Sequence, residues 1–241
     1  CPAHCKRKRS TCGWRSFDEG YAAGIIPGSG FYVQRRKHMI AVIDYGVGNL
    51  FSVEKALAGL GAEVRVTSDA AEIAAADKIV LPGVGAFGDC MKNLTATGLI
   101  PTIRACVAKG TPLLGICVGL QILFEGSEES PGVAGLGLLK GMVRKIQAPG
   151  LKVPHMGWNS LIVTEPRQSV DLFKELSVKP YVYFVHSYHA VPADRSIITS
   201  AAVYGELLTA SVAAGNIQAT QFHPEKSGDV GLTILKNFIE G

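Results

Sequence analysis

One cysteine lies where the chain could turn sharply and hold out a thiol. In Gly115-Ile116-Cys117-Val118-Gly119, two glycines bracket Cys117. The short apolar run Thr111 to Ile116 before it suits a buried strand, and Leu120-Gln121-Ile122-Leu123-Phe124 after it can continue as a helix. Glycine tolerates a tight passage from strand to helix without a Cβ clash, which is the pattern of a nucleophile elbow with cysteine in place of serine. Free backbone N–H groups and the positive end of a helix dipole would favour a thiolate there, and the same donors could hold an oxyanion. Alone, the pattern leaves open a cysteine that is merely a small buried hydrophobe.

A base and an orienting group are present far along the chain, where Ile217 to Phe222 leads into His223-Pro224-Glu225. Residues two apart in an extended segment face the same side. His223 could then take the thiol proton while Glu225 fixes its tautomer, and Pro224 keeps the pair from being drawn into a helix. That is the logic of nucleophile, base and orienter, although His-x-Glu by itself is common. A third segment, Pro82-Gly83-Val84-Gly85-Ala86-Phe87-Gly88, follows the apolar Ile79 to Leu81 at what should be the C-terminal edge of a sheet. Ligands of open α/β sheets bind at that edge, and these glycines could bring bare N–H groups to one.

The elements needed to hold these residues follow from the pattern of the chain. Ile40 to Ile43, Glu63 to Thr67, Lys78 to Leu81 and the elbow strand alternate with helical stretches at Leu50 to Gly61, Ala70 to Ala76 and Met91 to Gly110. The alternation predicts an α/β fold, a mostly parallel twisted sheet flanked by helices. Leu136 to Ile146, Ser160 to Thr164, Tyr181 to Val185, Ile197 to Val203 and Leu208 to Ala213 make the second half more β-rich, and a helix over Gly231 to Glu240 closes it. Cys90 and Cys106 read as structural. The acidic loop Glu125 to Gly132 could present a carboxylate to an ammonium. Gly46-x-Gly48 lacks the third glycine of a dinucleotide fingerprint.

Composition narrows the class of function. A chain of 241 residues with 28 glycines and 47% hydrophobic residues fits an α/β protein with many tight turns. Residues 1–38 carry eight Lys and Arg against two Asp and Glu, so the net charge of +4 divides into +6 there and −2 over the rest. A nucleic-acid role drawn from overall basicity would rest on that segment alone. Residues 1–38 lack periodicity and read as a disordered or non-native extension, with Met39 as the natural start and a transit peptide as the alternative. His4 with Cys1, Cys5 and Cys12 matches no standard zinc spacing. Residues 39–241 show no linker or repeat and read as one domain. No apolar run reaches the length of a membrane span, and the cysteine usage points to a reducing cytoplasm.

Taken together and in this order, the elbow, the Pro82 to Gly85 loop and His223-Pro224-Glu225 resemble the class I glutamine amidotransferases over residues 39–241. Within them the chain looks like the glutaminase subunits of imidazole glycerol phosphate synthase. The residues carrying that closer likeness are Asp44-Tyr45-Gly46-Val47-Gly48-Asn49, Pro82 to Phe87, Pro154-His155-Met156-Gly157-Trp158-Asn159, Phe184-Val185-His186-Ser187-Tyr188 and Lys226-Ser227 after the Glu. The segment before Met39 has no counterpart in the family.

The resemblance implies a flavodoxin-like fold and hydrolysis of L-glutamine through a thioester, with Cys117 as nucleophile, His223 as acid and base, and Glu225 as orienter. It implies an oxyanion hole from Val118 and from Gly83, Val84 or Gly85. Gln121 would hold the α-carboxylate of glutamine and Glu129 its α-amino group, with Tyr183, Ser187 and Tyr188 at the substrate site. The implied partner is a (β/α)8-barrel cyclase in a heterodimer, with Asn49, Met156, Trp158 and Lys226 at the interface or ammonia path. No metal or other cofactor, nucleic acid or membrane is implied. Other readings to separate are a glutaminase subunit of another class I amidotransferase system, a silent regulatory subunit, a cysteine peptidase and a DJ-1-like stress protein.

Overall fold

The structure, a computed structural model, describes residues 38–164, 171–176 and 179–241. The readings of the tail, His4 and its three cysteines included, fall outside the described residues except at His38. In chain order the elements are β1 (Met39–Ile43), α1 (Leu50–Gly59), β2 (Glu63–Thr67), α2 (Ala70–Ala75), β3 (Lys78–Gly83), α3 (Phe87–Ala96), α4 (Ile100–Lys109), β4 (Leu113–Cys117) and α5 (Val118–Gln121). They continue with β5 (Gly126–Ser127), β6 (Gly141–Lys145), β7 (His155–Ser160), β8 (Ile162–Val163), β9 (Tyr181–His186), β10 (Tyr188–Pro192), β11 (Ile198–Tyr204), β12 (Glu206–Ala214), β13 (Ile217–Thr220) and α6 (Gly228–Glu240).

An eight-stranded sheet in the order β2-β1-β3-β4-β13-β12-β11-β8 carries the fold. Its first five strands are parallel, and β12, β11 and β8 extend it antiparallel. β3 and β4 are buried at every residue, as expected of central parallel strands covered on both faces, and this is why they read as unbroken apolar runs. Two smaller sheets, β10-β6-β5 and the antiparallel ribbon β7-β9, supply the extra β content of the second half.

Several boundaries differ from the sequence reading. The helical region from Met91 to Gly110 is two helices, because the chain takes φ 71° at Gly98 and restarts with Pro101 in the first turn of α4, where proline lacks only an N–H that would be orphaned anyway. The helix after the elbow stops at Gln121, and Leu136 to Ile146 is a strand only at Gly141–Lys145. β7 was not foreseen as a strand, since polar residues and Gly157, at φ 126°, interrupt its apolar pattern. Among the described residues no helix is long and apolar enough to cross a membrane.

The turn between β12 and β13 holds the start of β4 in place. Asn216 donates from its amide to the carbonyls of Val107 (3.0 Å) and Thr111 (2.7 Å), and its own carbonyl takes the N–H of Leu113 at 2.9 Å. Asn216→Ala takes the amide donor from the Thr111 carbonyl at the entry to β4 and one of two donors from the Val107 carbonyl, which keeps the Gly110 N–H. The expected loss of stability is about 1–3 kcal/mol, measured as a lower urea midpoint.

Candidate active site

The end of β4 bends abruptly. Cys117 adopts φ 56° and ψ −111° and caps α5, a conformation that costs a non-glycine residue about 1–3 kcal/mol. The glycines beside it serve a different purpose from the one their spacing suggested: neither has a positive φ, and each lets backbone meet backbone. A Cβ on Gly119 would run into the Leu81 carbonyl, and one on Gly83 would stand 2.7 Å from the Gly119 nitrogen. A Cβ on Gly115 would lie 3.0 Å from the Gly119 oxygen. β3, β4 and α5 thus converge on the sulfur with no side chain between them, and the register places Gly83 opposite Cys117.

β13, the parallel neighbour of β4, brings the second part of the site. His223 is extended, but Pro224–Lys226 is a single 3-10 turn with Pro224 at its start. The expectation of a strand with both side chains on one side is therefore corrected. The tight turn, with φ preset by proline, folds Glu225 back so that its Oε1 lies 2.8 Å from His223 Nδ1. The two side chains are 3% and 1% exposed. His223 Nε2 and Glu225 Oε2 have no hydrogen-bond partner.

Burial alone would push the His223 imidazole down, but the Cys117 sulfur and the Glu225 carboxylate together outweigh it and raise its pKa to about 9. The sulfur thus acts on the ring from outside hydrogen-bonding geometry at Nε2, a looseness common where no substrate is bound.

A cavity of about 410 Å³ opens over the pair, lined by Val84, Gly85, Cys117, Val118, Gln121 and Glu129 on one side and by Pro154, Val185, His186, Ser187, Tyr188, His223 and Lys226 on the other. The loop after β3 is fastened from beneath. The Tyr45 hydroxyl donates to the Pro82 carbonyl (2.6 Å), and the Cys90 thiol donates to the Val84 carbonyl (3.4 Å). Burial raises the pKa of both groups, Cys90 to about 11, so both remain neutral donors. With the Val84 carbonyl turned down to Cys90, the planar trans peptide directs the Gly85 N–H the opposite way. Glu129 accepts the Phe87 N–H (2.8 Å) and Ser130 the Gly88 N–H (3.0 Å) at the start of α3.

The other residues singled out in the sequence divide plainly. Ser187, Tyr188, Glu129 and Lys226 line the cavity. Tyr183 does not; its ring packs edge-on against Trp158 at 6.3 Å, and only its carbonyl reaches the site, holding the His223 N–H. Gln121 is at the cavity, but its amide NH2 donates to the Tyr188 carbonyl (3.0 Å) and to Gln221 Oε1 (3.1 Å). Both protons are committed, so the expected contact to an α-carboxylate is corrected: the oxygen it has left is an acceptor. Met156 and Trp158 project from β7 and are 62% and 56% exposed. Asn49 sits at the start of α1 without capping it through its side chain.

Three participants escaped the sequence reading. Tyr45 and Cys90 hold the loop, and Gln221 points its amide at Cys117 Sγ at 3.8 Å. Gln221 carried a weak signal in its place two residues before His223, and the structure shows it fully buried just past β13. His186 also borders the cavity. It donates from Nδ1 to the Tyr188 carbonyl (2.9 Å) and accepts at Nε2 from His155 Nδ1 (3.1 Å), while His155 Nε2 accepts from Asn159 (3.2 Å). Burial holds both rings neutral, with His186 near 3 and His155 near 4. Among the described residues no cluster of three or more His, Cys, Asp or Glu could hold a metal ion.

The family model for "Glutamine amidotransferase class-I" matches residues 41–240. The chain belongs to that family. This amidotransferase is 52% identical over 201 residues to the imidazole glycerol phosphate synthase subunit HisH of Moorella thermoacetica, covering 83% of this chain and 94% of that protein. It is 50% identical over 202 residues to the HisH subunit of Methanothermobacter thermautotrophicus, covering 84% and 98%. The structure of PurLQS from Thermotoga maritima superposes with a TM-score of 0.62 at 22% identity, over 85% of this chain and 98% of that one; that likeness bears on the fold alone.

The amidotransferase's imidazole gives a pH test. A pKa raised to about 9 contributes stability in full below the unfolded value of about 6.5 and loses it as pH rises through 9. Glu225→Gln removes one of the two groups raising it. The His223 titration, followed by NMR of the ring, should move down, and the stability deficit of the variant should be greatest near pH 6 and shrink toward pH 9.

Proposed function

We propose that residues 39–241 form the glutaminase domain of an imidazole glycerol phosphate synthase, acting in the cytoplasm and passing ammonia to a cyclase. The observation that carries this reading is His223 held by Glu225 at 2.8 Å, with its second nitrogen unpartnered on the Cys117 side of a substrate-sized cavity, in a chain half identical to HisH subunits. A cysteine, a base and an orienter in this arrangement perform acyl transfer.

In the proposed cycle the Cys117 proton is on His223 when glutamine arrives. The sulfur attacks the side-chain amide carbon, and the oxyanion is met by the Val118 N–H and an N–H from Gly83 to Gly85. Loss of one donor in such a hole costs about 2.7–4 kcal/mol of barrier. His223 then gives its proton to the departing nitrogen, ammonia leaves, and a γ-glutamyl thioester remains. Water, deprotonated by His223, cleaves the thioester to glutamate and restores the thiol. Glu129 and the side-chain oxygen of Gln121 receive the α-ammonium of glutamine, beside the wall made by Ser187 and Tyr188.

Free ammonia would be protonated and lost at neutral pH, so its use requires a second active site sealed against this one. The β7-β9 ribbon turns His155, Asn159, Val182, Phe184 and His186 inward, and in register with them offers Met156, Trp158 and Tyr181 to solvent. Phe51 is exposed on α1, which packs against the 224–226 turn. An exposed aromatic patch beside a cavity is the mark of an interface. We assign it to a (β/α)8-barrel cyclase in a heterodimer, with Asn49, Met156, Trp158 and Lys226 at the contact and along the ammonia path. The cyclase would convert the phosphoribulosyl formimino ribotide PRFAR to imidazole glycerol phosphate and the aminoimidazole ribotide AICAR, which makes the complex a lyase.

Cys117→Ala and Cys117→Ser are expected to abolish ammonia release from glutamine while the complex with the cyclase persists; glutaminase activity retained in Cys117→Ala would remove the thioester mechanism. Trp158→Ala tests the channel. Glutamine-dependent synthase turnover should fall severalfold while turnover on added ammonium salt is spared, and equal loss of both would take Trp158 off the ammonia path.

A further inference from the structure

We propose that Gln221 is a catalytic residue whose side-chain amide donates a hydrogen bond to the Cys117 sulfur and favours its thiolate, held in that orientation by Gln121 and the Tyr188 carbonyl. The proposal takes Cys117 as the nucleophile assigned above. Gln221 is fully buried, and its backbone N–H is fixed on the Ala210 carbonyl at 2.8 Å. Its Nε2 stands 3.8 Å from Sγ, within reach of a sulfur acceptor.

Which end of a glutamine amide is nitrogen is ordinarily a matter of assignment, but here the neighbours decide it. The Tyr188 carbonyl can only accept, so the Gln121 group facing it at 3.0 Å is the NH2. That same NH2 lies 3.1 Å from the side chain of Gln221, and the group it meets must accept, so it is the oxygen. The nitrogen of Gln221 is then left facing Cys117. Donation therefore runs outward from the Gln121 NH2, to the Tyr188 carbonyl on one side and through Gln221 to the sulfur on the other. A neutral thiol is a weak acceptor, whereas a thiolate is a strong one, so a donor fixed at this distance acts on the ionisation and not merely on packing.

The other groups facing the sulfur do not duplicate this role. His223 supplies the charge. Tyr45 and Cys90, the remaining titratable groups felt by Cys117, are kept neutral by burial, and the charged Glu129 and Lys226 line the cavity. Because Gln121 and Tyr188 border the same cavity, movement of that wall on substrate binding would be transmitted to the sulfur through two hydrogen bonds.

The experiment is the pH profile of Cys117 alkylation by iodoacetamide in the full chain, with the adduct at Cys117 quantified by peptide mass mapping so that other cysteines do not contribute. Gln221→Leu should raise the midpoint by about one unit, which slows alkylation about tenfold at pH values below the wild-type midpoint. Gln221→Asn, which keeps a buried amide but withdraws it by one methylene, should show the same upward shift with a native thermal melt, so the result does not depend on the apolar variant folding. Gln121→Leu should reproduce the shift, and the double variant Gln121→Leu/Gln221→Leu should be no worse than Gln221→Leu alone. Midpoints within about 0.2 units of wild type in folded Gln221→Asn would overturn the proposal, as would additive shifts in the double variant. Iodoacetamide requires neither glutamine nor cyclase, so a wild-type complex with the cyclase that lacks glutaminase turnover would sink the functional assignment while leaving this inference standing or falling on the alkylation profile.

Discussion

The site depends on three backbone segments meeting with no side chain between them. At the end of β3, at Cys117 and at the first turn of α5, peptide groups stand where a single Cβ on Gly83 or Gly119 would collide with main chain. Main chain cannot rotate away as a long side chain can, so the distance between the loop after β3 and the sulfur is fixed by contact. The buried strands on either side press this junction together, and they sustain the unfavourable dihedrals of Cys117. Close packing of this kind transmits displacement instead of absorbing it. The hydrogen bonds from Tyr45 and Cys90 to Pro82 and Val84 then settle how the peptides of the loop are turned.

Three buried histidines near one cavity illustrate how neighbours decide charge. Burial lowers all three, and in His155 and His186 it prevails, because their partners are a carbonyl, each other and an amide. In His223 a carboxylate and a sulfur reverse the outcome. A second imidazolium at His186 would compete with His223 as the partner of a thiolate. Keeping it neutral leaves one cation at the sulfur, in the position from which a proton can be returned to a leaving group.

The candidate site residues were legible because their types are restricted and their local patterns are short. The elbow, His223-Pro224-Glu225 and the glycine loop were each visible in a few consecutive letters, and the parallel half of the sheet followed from unbroken apolar strands. What stayed hidden depends on contacts across long sequence separation. Gln221 acquires its meaning from Gln121, a hundred residues away, and Cys90 from the carbonyl of Val84, which no side-chain pattern reports. The geometry of His223-Pro224-Glu225 was misjudged for a local reason: proline at the start of a 3-10 turn and proline in an extended segment share the same φ. β7 was obscured by its mixture of inward polar residues, which face the buried histidine pair, and outward apolar ones.

The backbone of Cys117 has a consequence for how this protein can fail. Its dihedrals, φ 56° and ψ −111°, are those glycine adopts readily at the first corner of a type II′ turn. Cys117, the proposed nucleophile, is thus also a residue the fold holds against its preference, and replacing it by glycine would relieve strain while removing the thiol. Damage at this position would not be removed by quality control, which recognises unfolded chains. A chain so altered would keep its fold, and with it the exposed surface carried by Met156 and Trp158, while lacking its thiol.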